Sequence, residues 1–71
     1  MIRAWWTEMW DVCSIVAADS RAQAAMATRR AAREAGYLVK PLERVRVLRF
    51  PEKDFWAQTA PKGRCYCPEA I

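Results

Sequence analysis

One segment of the chain carries sequence marks of both ends of a helix. Ser20 is a good N-cap residue, and Gln23 three positions later completes a capping box. The residues that follow are almost all alanine or long unbranched side chains, which are the best helix formers. Gly36 stands where a residue in the left-handed conformation commonly ends a helix. The sequence therefore predicts a helix over residues 21–35, and the rest of the fold must pack against it.

This helix brings little apolar area to a core, because its predicted inward stripe is mostly alanine. The chain has 71 residues and is a single domain near the lower size limit for unaided folding. Its four Trp, two Tyr and two Phe are therefore expected to supply the bulk of the core. The alternative is that these rings form a surface that binds a partner, where tryptophan is enriched.

The segment before the helix is rich in β-branched and aromatic residues, which fit a pleated sheet. It predicts a β-hairpin with a turn at Thr7 and Glu8. A helix is the alternative, because five residues of this segment also fall at helical spacing: Trp5, Met9, Val12, Cys13 and Val16. Strand alternation would place six residues on one face, namely Ile2, Ala4, Trp6, Trp10, Val12 and Val16.

Consecutive residues of a strand point to opposite faces of a sheet, so one helix cannot bury both Trp5 and Trp6. A sheet with one alanine-faced helix also leaves a face or an edge to cover. These two considerations predict that the protein forms a homodimer.

A third strand is predicted over residues 43–48, where Val45 and Val47 alternate with Arg44 and Arg46. Residues 52–56 are predicted to form a helical turn that lays Phe55 and Trp56 over the core. The last residues contain several proline and glycine positions and predict an irregular tail.

The expected fold class is therefore α+β, a small antiparallel sheet of a β-hairpin and a third strand with one helix packed on it. Residues 1–60 form the single domain in this prediction, and residues 61–71 form the tail.

The sequence favours no catalytic or metal-dependent activity. It contains no histidine, no serine in the setting of a nucleophile elbow and no glycine-rich phosphate loop. The three cysteines, Cys13, Cys65 and Cys67, lack the fourth ligand of a structural zinc site. We expect free thiols, no metal and no cofactor.

The compartment is predicted to be the cytoplasm. No stretch of 18 apolar residues predicts a membrane span. Glu8 and Asp11 interrupt the apolar run near the N-terminus, so a secretory signal peptide is not expected. An odd number of cysteines is also atypical of a secreted disulfide scaffold.

All the excess positive charge lies in the middle of the chain, where residues 20–49 hold eight Lys or Arg and two Glu. If the helix and the third strand expose their arginines side by side, a basic patch results. Such a patch would suit a protein partner or, as the alternative, nucleic acid, because arginine pairs with carboxylates and with phosphates. The predicted partner-binding residues are Arg29, Arg30, Arg33, Arg44, Arg46, Trp5 and Trp56.

Three parts of the sequence resemble a group of small, uncharacterised proteins encoded by bacteriophages and prophages. The shared features are the Ala/Arg-rich helix that ends in the run 33–37 (REAGY), the strand segment 44–46 (RVR), and Asp54 following Pro51. The resemblance implies a phage origin and no defined activity. Short phage proteins are often inhibitors of host proteins, including anti-CRISPR proteins. By this analogy, and because catalytic groups are missing, we expect a non-enzymatic protein that binds and inhibits a host protein or defence complex in the host cytoplasm.

Overall fold

The computed structural model of the protein describes residues 1–70. Within these residues the chain forms a four-stranded antiparallel sheet, two α-helices and two short 3-10 helices, which confirms the predicted α+β fold. The elements in chain order are β1 (Arg3–Met9), β2 (Val12–Ala18), α1 (Arg21–Glu34), β3 (Arg46–Arg49), α2 (Asp54–Ala57) and β4 (Cys65–Tyr66). The strands lie in the order β3-β1-β2-β4.

The hairpin of β1 and β2 turns at Trp10 and Asp11, because Met9 pairs directly with Val12. Trp10 has a φ of 56°, in the left-handed region that tryptophan rarely occupies. The predicted turn at Thr7 and Glu8 is wrong, since both residues lie inside β1, and the helical alternative for this segment is wrong as well.

The position of the turn decides which side chains share a face of the sheet. Trp5 pairs with Val16, so these two residues lie on one face, whereas Trp6 pairs with Ile15 on the other. We call the face that packs against α1 the helix face and the opposite one the far face. The predicted grouping of Ala4 and Trp6 with Val12 and Val16 is wrong, because the true turn moves the two valines to the helix face.

Helix α1 begins and ends as its sequence predicts. The backbone N–H of Gln23 donates to the Ser20 side chain at 3.2 Å. Gly36 has a φ of 97°, and the N–H of Tyr37 donates to the Ala32 carbonyl oxygen at 3.1 Å, which is the Schellman pattern. The residues buried on the sheet are Ala24, Ala27 and Thr28.

The core on the helix face is built around Trp5 and Val16, with Val47 of β3 beside them. Strand β3 covers Arg46–Arg49, which is shorter at its start than the prediction over residues 43–48. The guanidinium of Arg21 donates to the Val47 carbonyl oxygen on the outer side of this edge strand. This contact occupies an acceptor that another chain could otherwise use for edge-to-edge pairing.

The far face is covered in large part by the chain itself. Ala57 of α2 is fully buried against Ala4 and Ala17, and Phe50 and Trp56 pack around them. This packing removes part of the reason for expecting a second copy of the chain on the sheet, and the homodimer stays a prediction. Phe55 was predicted to cover the core, but it is 88% exposed.

The C-terminal segment is not the irregular tail that the sequence predicts. Cys65 and Tyr66 form β4, which pairs with Val16 and Ile15 of β2. Just before this strand, the N–H of Gly63 donates to the Ala17 carbonyl oxygen at 2.8 Å. The domain therefore extends beyond residue 60, while residue 71 of the predicted tail lies outside the described residues.

Candidate partner-binding site

The five arginines predicted to bind a partner do not form one patch. The three helix arginines, Arg29, Arg30 and Arg33, line one shallow cleft on α1, and Arg30 also donates to the Gly63 carbonyl oxygen near β4. Arg46 projects from the far face of the sheet, because it pairs with Glu8 across β1 and β3. The basic charge is thus spread over separate surfaces.

Two helix arginines hold the loop between α1 and β3 in place. Nε of Arg29 donates to the Glu43 carbonyl oxygen at 2.7 Å. The Arg33 guanidinium donates to the carbonyl oxygens of Val39 and Lys40, at 3.5 Å and 3.1 Å. A guanidinium has five N–H donors, so both arginines keep donors and charge for other contacts. The loop is a fixed part of the surface although it has no regular secondary structure.

This fixed loop displays large apolar side chains to solvent. Leu38 is 96% exposed and Leu42 is 86% exposed. Beside them Tyr37 and Met26 are also exposed, and Pro41 closes a shallow cleft against the helix arginines. We call Tyr37, Leu38 and Leu42 with the adjoining Arg33 and Lys40 the loop surface. The sequence analysis missed the two leucines, because a single exposed leucine in a loop carries no periodic pattern.

Trp5 does not belong to a partner-binding site, and that prediction is wrong. Its side chain is only 7% exposed, and Nε1 donates to the Ala18 carbonyl oxygen at 3.0 Å. The guanidinium carbons of Arg21 and Arg49 lie 5.5 Å and 5.1 Å from the centre of its ring. Trp5 is therefore the main core anchor. The prediction that the aromatic residues supply the bulk of the core holds only in part, because Trp10, Tyr37 and Phe55 are exposed.

Trp56 is half-buried and has a structural contact of its own. Its ring meets the ring of Tyr66 edge to face, with centroids 5.5 Å apart. Because the ring packs against the buried alanines of the far face, little of it remains for a partner.

Arg46 is exposed and pairs with Glu8, with 3.4 Å between Nη1 and Oε1. The other Glu8 oxygen accepts a hydrogen bond from Nε1 of Trp6 at 2.8 Å. Arg44 is exposed and lies near the same carboxylate. An exposed ion pair of this kind contributes little to stability, so these two arginines remain open to other contacts.

An apolar groove lies between the C-terminal half of α1 and the turn end of the hairpin. Its volume is about 250 Å³. Small helix residues form one wall, and the hairpin forms the other. The lining residues are Met9, Trp10, Val12, Ser14, Thr28, Ala31, Ala32, Ala35, Tyr37 and Cys65. The groove exists because the alanines of α1 are too short to fill the space above the hairpin.

The three cysteines occupy different environments. Cys13 pairs with Glu8 on the far face, whereas Cys65 pairs with Val16 on the helix face, so their thiols cannot surround one metal ion. Burial raises the pKa of the Cys65 thiol, and this thiol lies 3.9 Å from the Thr28 hydroxyl oxygen. A thiol with a raised pKa is a poor nucleophile at neutral pH.

The chain matches no family model, no curated protein and no solved structure. The functional argument therefore depends on the surfaces described above. Within residues 1–70, no helix combines the length and the apolar character needed to cross a bilayer.

Proposed function

We propose that the protein is a non-enzymatic binding protein that docks on an acidic surface of another protein through its loop surface. The observation that supports this most directly is the exposure of Leu38 and Leu42 on a loop that two arginines hold in shape. Exposed apolar side chains that form a patch are typical of interaction sites. A loop that is already ordered loses little conformational entropy when it binds.

The charge around the leucines indicates the kind of partner. Arg33 and Lys40 belong to the loop surface, and the exposed Arg44 lies in the segment between the loop surface and β3. An apolar centre with a basic rim is complementary to an apolar patch with an acidic rim. Arginine suits this rim because its planar fork can bind carboxylates with two hydrogen bonds.

The proposed biological role is that of a phage-encoded inhibitor of a host protein or defence complex, comparable to an anti-CRISPR protein, in the host cytoplasm. This part rests on the sequence resemblance described above. The loop surface is compatible with it, because an inhibitor of this kind needs a preformed binding surface and no catalytic groups.

Site-specific photo-crosslinking tests the binding proposal. A benzophenone amino acid is placed at Leu38, at Leu42 or, as a matched control, at Phe55, which is equally exposed but lies on α2 over the far face. In nuclease-treated bacterial lysate, positions 38 and 42 are expected to crosslink to the same protein, and position 55 is not. Unlabelled protein should compete for the crosslink, whereas the variant with Leu38→Asp and Leu42→Asp should not.

The interaction is then measured with the purified partner. Loss of a central apolar anchor costs ~2 kcal/mol or more at an interface, which is about thirtyfold in Kd. Leu38→Asp is expected to weaken binding by at least this factor, and Phe55→Asp is expected to leave it unchanged. Identical crosslinks from positions 38 and 55, or equal effects of the two substitutions, would contradict the proposal.

Nucleic-acid binding is the alternative function. It is less favoured, because the arginines of α1 and those near β3 lie on different surfaces. A basic groove that tracks a phosphate backbone needs its cations on one surface, but Arg30 and Arg46 lie on opposite sides of the sheet. We expect no gel shift with duplex or single-stranded DNA at physiological salt. A tight shift whose affinity falls steeply with salt, and that Arg44→Ala with Arg46→Ala weakens, would favour this alternative instead.

A further inference from the structure

The turn of the β-hairpin holds a tryptophan at a position that favours glycine. Met9 pairs with Val12, so Trp10 and Asp11 are the two central residues of the turn. Trp10 has a φ of 56°, and among residues 1–70 it is the only non-glycine residue with a positive φ. A two-residue hairpin turn with a positive φ at its first central residue alone follows the type II′ pattern, in which that residue is usually glycine. The backbone at Trp10 is therefore strained.

The fold gains little in return for this strain. The Trp10 ring meets the ring of Tyr37 edge to face, with centroids 5.8 Å apart. An aromatic pair of this kind stabilises a protein by no more than a strained backbone costs. The Trp10 side chain is 49% exposed and belongs to neither cluster of buried residues. Because strained residues cluster at functional sites, the turn indicates a role for Trp10 outside the fold.

Trp10 lies beside the loop surface at both ends of the loop. Its ring contacts Tyr37, where the loop begins. It also lines a shallow cleft with Glu43 and Arg44, where the loop ends. The hairpin turn and the loop surface are therefore continuous.

The side chains that join these two parts of the surface are apolar or aromatic. Val12 is exposed and lines the apolar groove together with Trp10 and Tyr37. None of the residues that line the groove is charged. Leu38, which follows Tyr37, is almost fully exposed. A partner that covers Tyr37 and Leu38 thus meets Trp10 and Val12 next, and an apolar surface is what fits there.

From the strained turn and its contact with the loop surface we propose that Trp10 is the main anchor of the protein interface. The apolar centre of the partner's surface covers the hairpin turn as well as the leucines of the loop. Tryptophan is enriched among the few residues that dominate binding energy at interfaces. Its ring offers a large apolar area with only two rotatable side-chain bonds, so little entropy is lost on binding. This inference rests on the proposed function and extends its binding surface to the hairpin.

Urea unfolding of two variants tests the strain without a partner. Trp10→Ala and Trp10→Gly both remove the ring, but only glycine relieves the backbone. The folding equilibrium constant of Trp10→Gly is expected to exceed that of Trp10→Ala about fivefold or more, and its urea midpoint should be no lower than that of the wild type. Asp11→Gly is the matched control. It places glycine at the second central residue, whose φ is not positive, and should lower the midpoint.

Crosslinking and affinity measurements test the anchor. A benzophenone amino acid at Val12, beside Trp10, is expected to crosslink in nuclease-treated bacterial lysate to the same protein as positions 38 and 42. With this protein purified, Trp10→Gly should weaken binding about thirtyfold or more although it does not destabilise the chain. Trp10→Phe keeps a ring and should lose less affinity than Trp10→Gly. Phe55→Ala removes an exposed ring from α2 and should leave the Kd unchanged.

The inference is overturned if Trp10→Gly is less stable than Trp10→Ala, because the backbone would then not be strained. It is also overturned if Trp10→Gly binds the partner as tightly as the wild type does. A protein that crosslinks at positions 38 and 42 but not at position 12 would contradict the inference and leave the proposed function standing. The absence of a crosslink at all three positions would overturn both.

Discussion

Trp5→Ala is expected to leave the chain largely unfolded at 25 °C. Trp5 is the largest side chain of the core on the helix face and contacts β2, β3 and α1 through its neighbours there. The other buried residues of this core are small, so no neighbouring side chain can fill the space that the ring leaves. A Trp→Ala change in a core costs ~3–5 kcal/mol. A core of this size supplies about 3–5 kcal/mol in total, so the loss is comparable to the whole stability.

Far-ultraviolet circular dichroism during urea unfolding measures this effect. The wild-type protein is expected to unfold cooperatively, and the Trp5→Ala variant should lack the folded baseline. Trp5→Phe separates packing from hydrogen bonding, because phenylalanine keeps a ring but leaves the Ala18 carbonyl oxygen without its donor. An unmade buried hydrogen bond costs ~1–3 kcal/mol, so this variant should fold with an intermediate midpoint.

The matched control for this experiment is Trp10→Ala, which removes the same side chain from an exposed turn. Its midpoint should stay closer to that of the wild type, because the Trp10 ring is half exposed and alanine keeps the same Cβ atom in the turn. If Trp5→Ala and Trp10→Ala unfold at the same urea concentration as the wild type, Trp5 is not the anchor of the core.

Asp54→Asn is expected to destabilise the protein at neutral pH. It is also expected to reduce the further loss of stability that occurs when the pH is lowered. Asp54 accepts hydrogen bonds from Arg49, at 3.0 Å and 2.7 Å, and from the backbone N–H of Ala4 at 2.8 Å. Arg49 also donates to the Ala4 carbonyl oxygen at 2.7 Å. The pair thus ties the start of α2 to the first strand and to the edge strand β3.

The direction of the pH dependence follows from the pKa of Asp54. The hydrogen bonds from Arg49, and then the one from Ala4, lower this pKa to about 2. In the unfolded chain an aspartate has a pKa of ~3.9, so the unfolded state takes up the proton first as the pH falls. The stability from this carboxylate is complete above pH ~4 and is lost as the pH falls towards about 2.

Thermal unfolding between pH 7 and pH 2 measures this contribution. The midpoint temperature of the wild type should fall on acidification, and the difference between wild type and Asp54→Asn should shrink towards pH 2. Glu52→Gln, in the turn just before α2, is the control and should have the wild-type midpoint at pH 7. A difference between wild type and Asp54→Asn that is constant over the whole pH range would contradict the assignment.

Sequence reasoning predicted those features that depend on residues close together in the chain. The caps of α1 are an example, since Ser20, Gln23 and Gly36 act on the backbone within one turn of themselves. The opposite orientations of Trp5 and Trp6 are another, because they follow from the pleat of any strand. Such preferences act in every fold that contains these segments, so the sequence alone determined them.

The tertiary structure decided the features that depend on pairing between distant segments. The hairpin turn lies at Trp10 and not at Thr7, because that register places Trp5 opposite Val16 under α1. The pattern that predicted the turn allowed both registers, and burial of the ring selects one of them. Strand β4 likewise forms because β2, far away in the sequence, offers it an open edge.

The candidate site also belongs to the tertiary structure. The sequence identified the arginines of α1 and β3 as candidates for binding a partner. In the structure the sheet separates Arg30 from Arg46, and Trp5 is buried in the core. The groove beside Trp10 is a space left between elements, so no run of residues encodes it. Local sequence thus determined helix α1 and the alternation of the hairpin strands, whereas the packing of the sheet against α1 decided which side chains are exposed together. The physical reason is that helix caps and strand alternation act between near neighbours, while register, burial and groove shape depend on contacts across the whole fold.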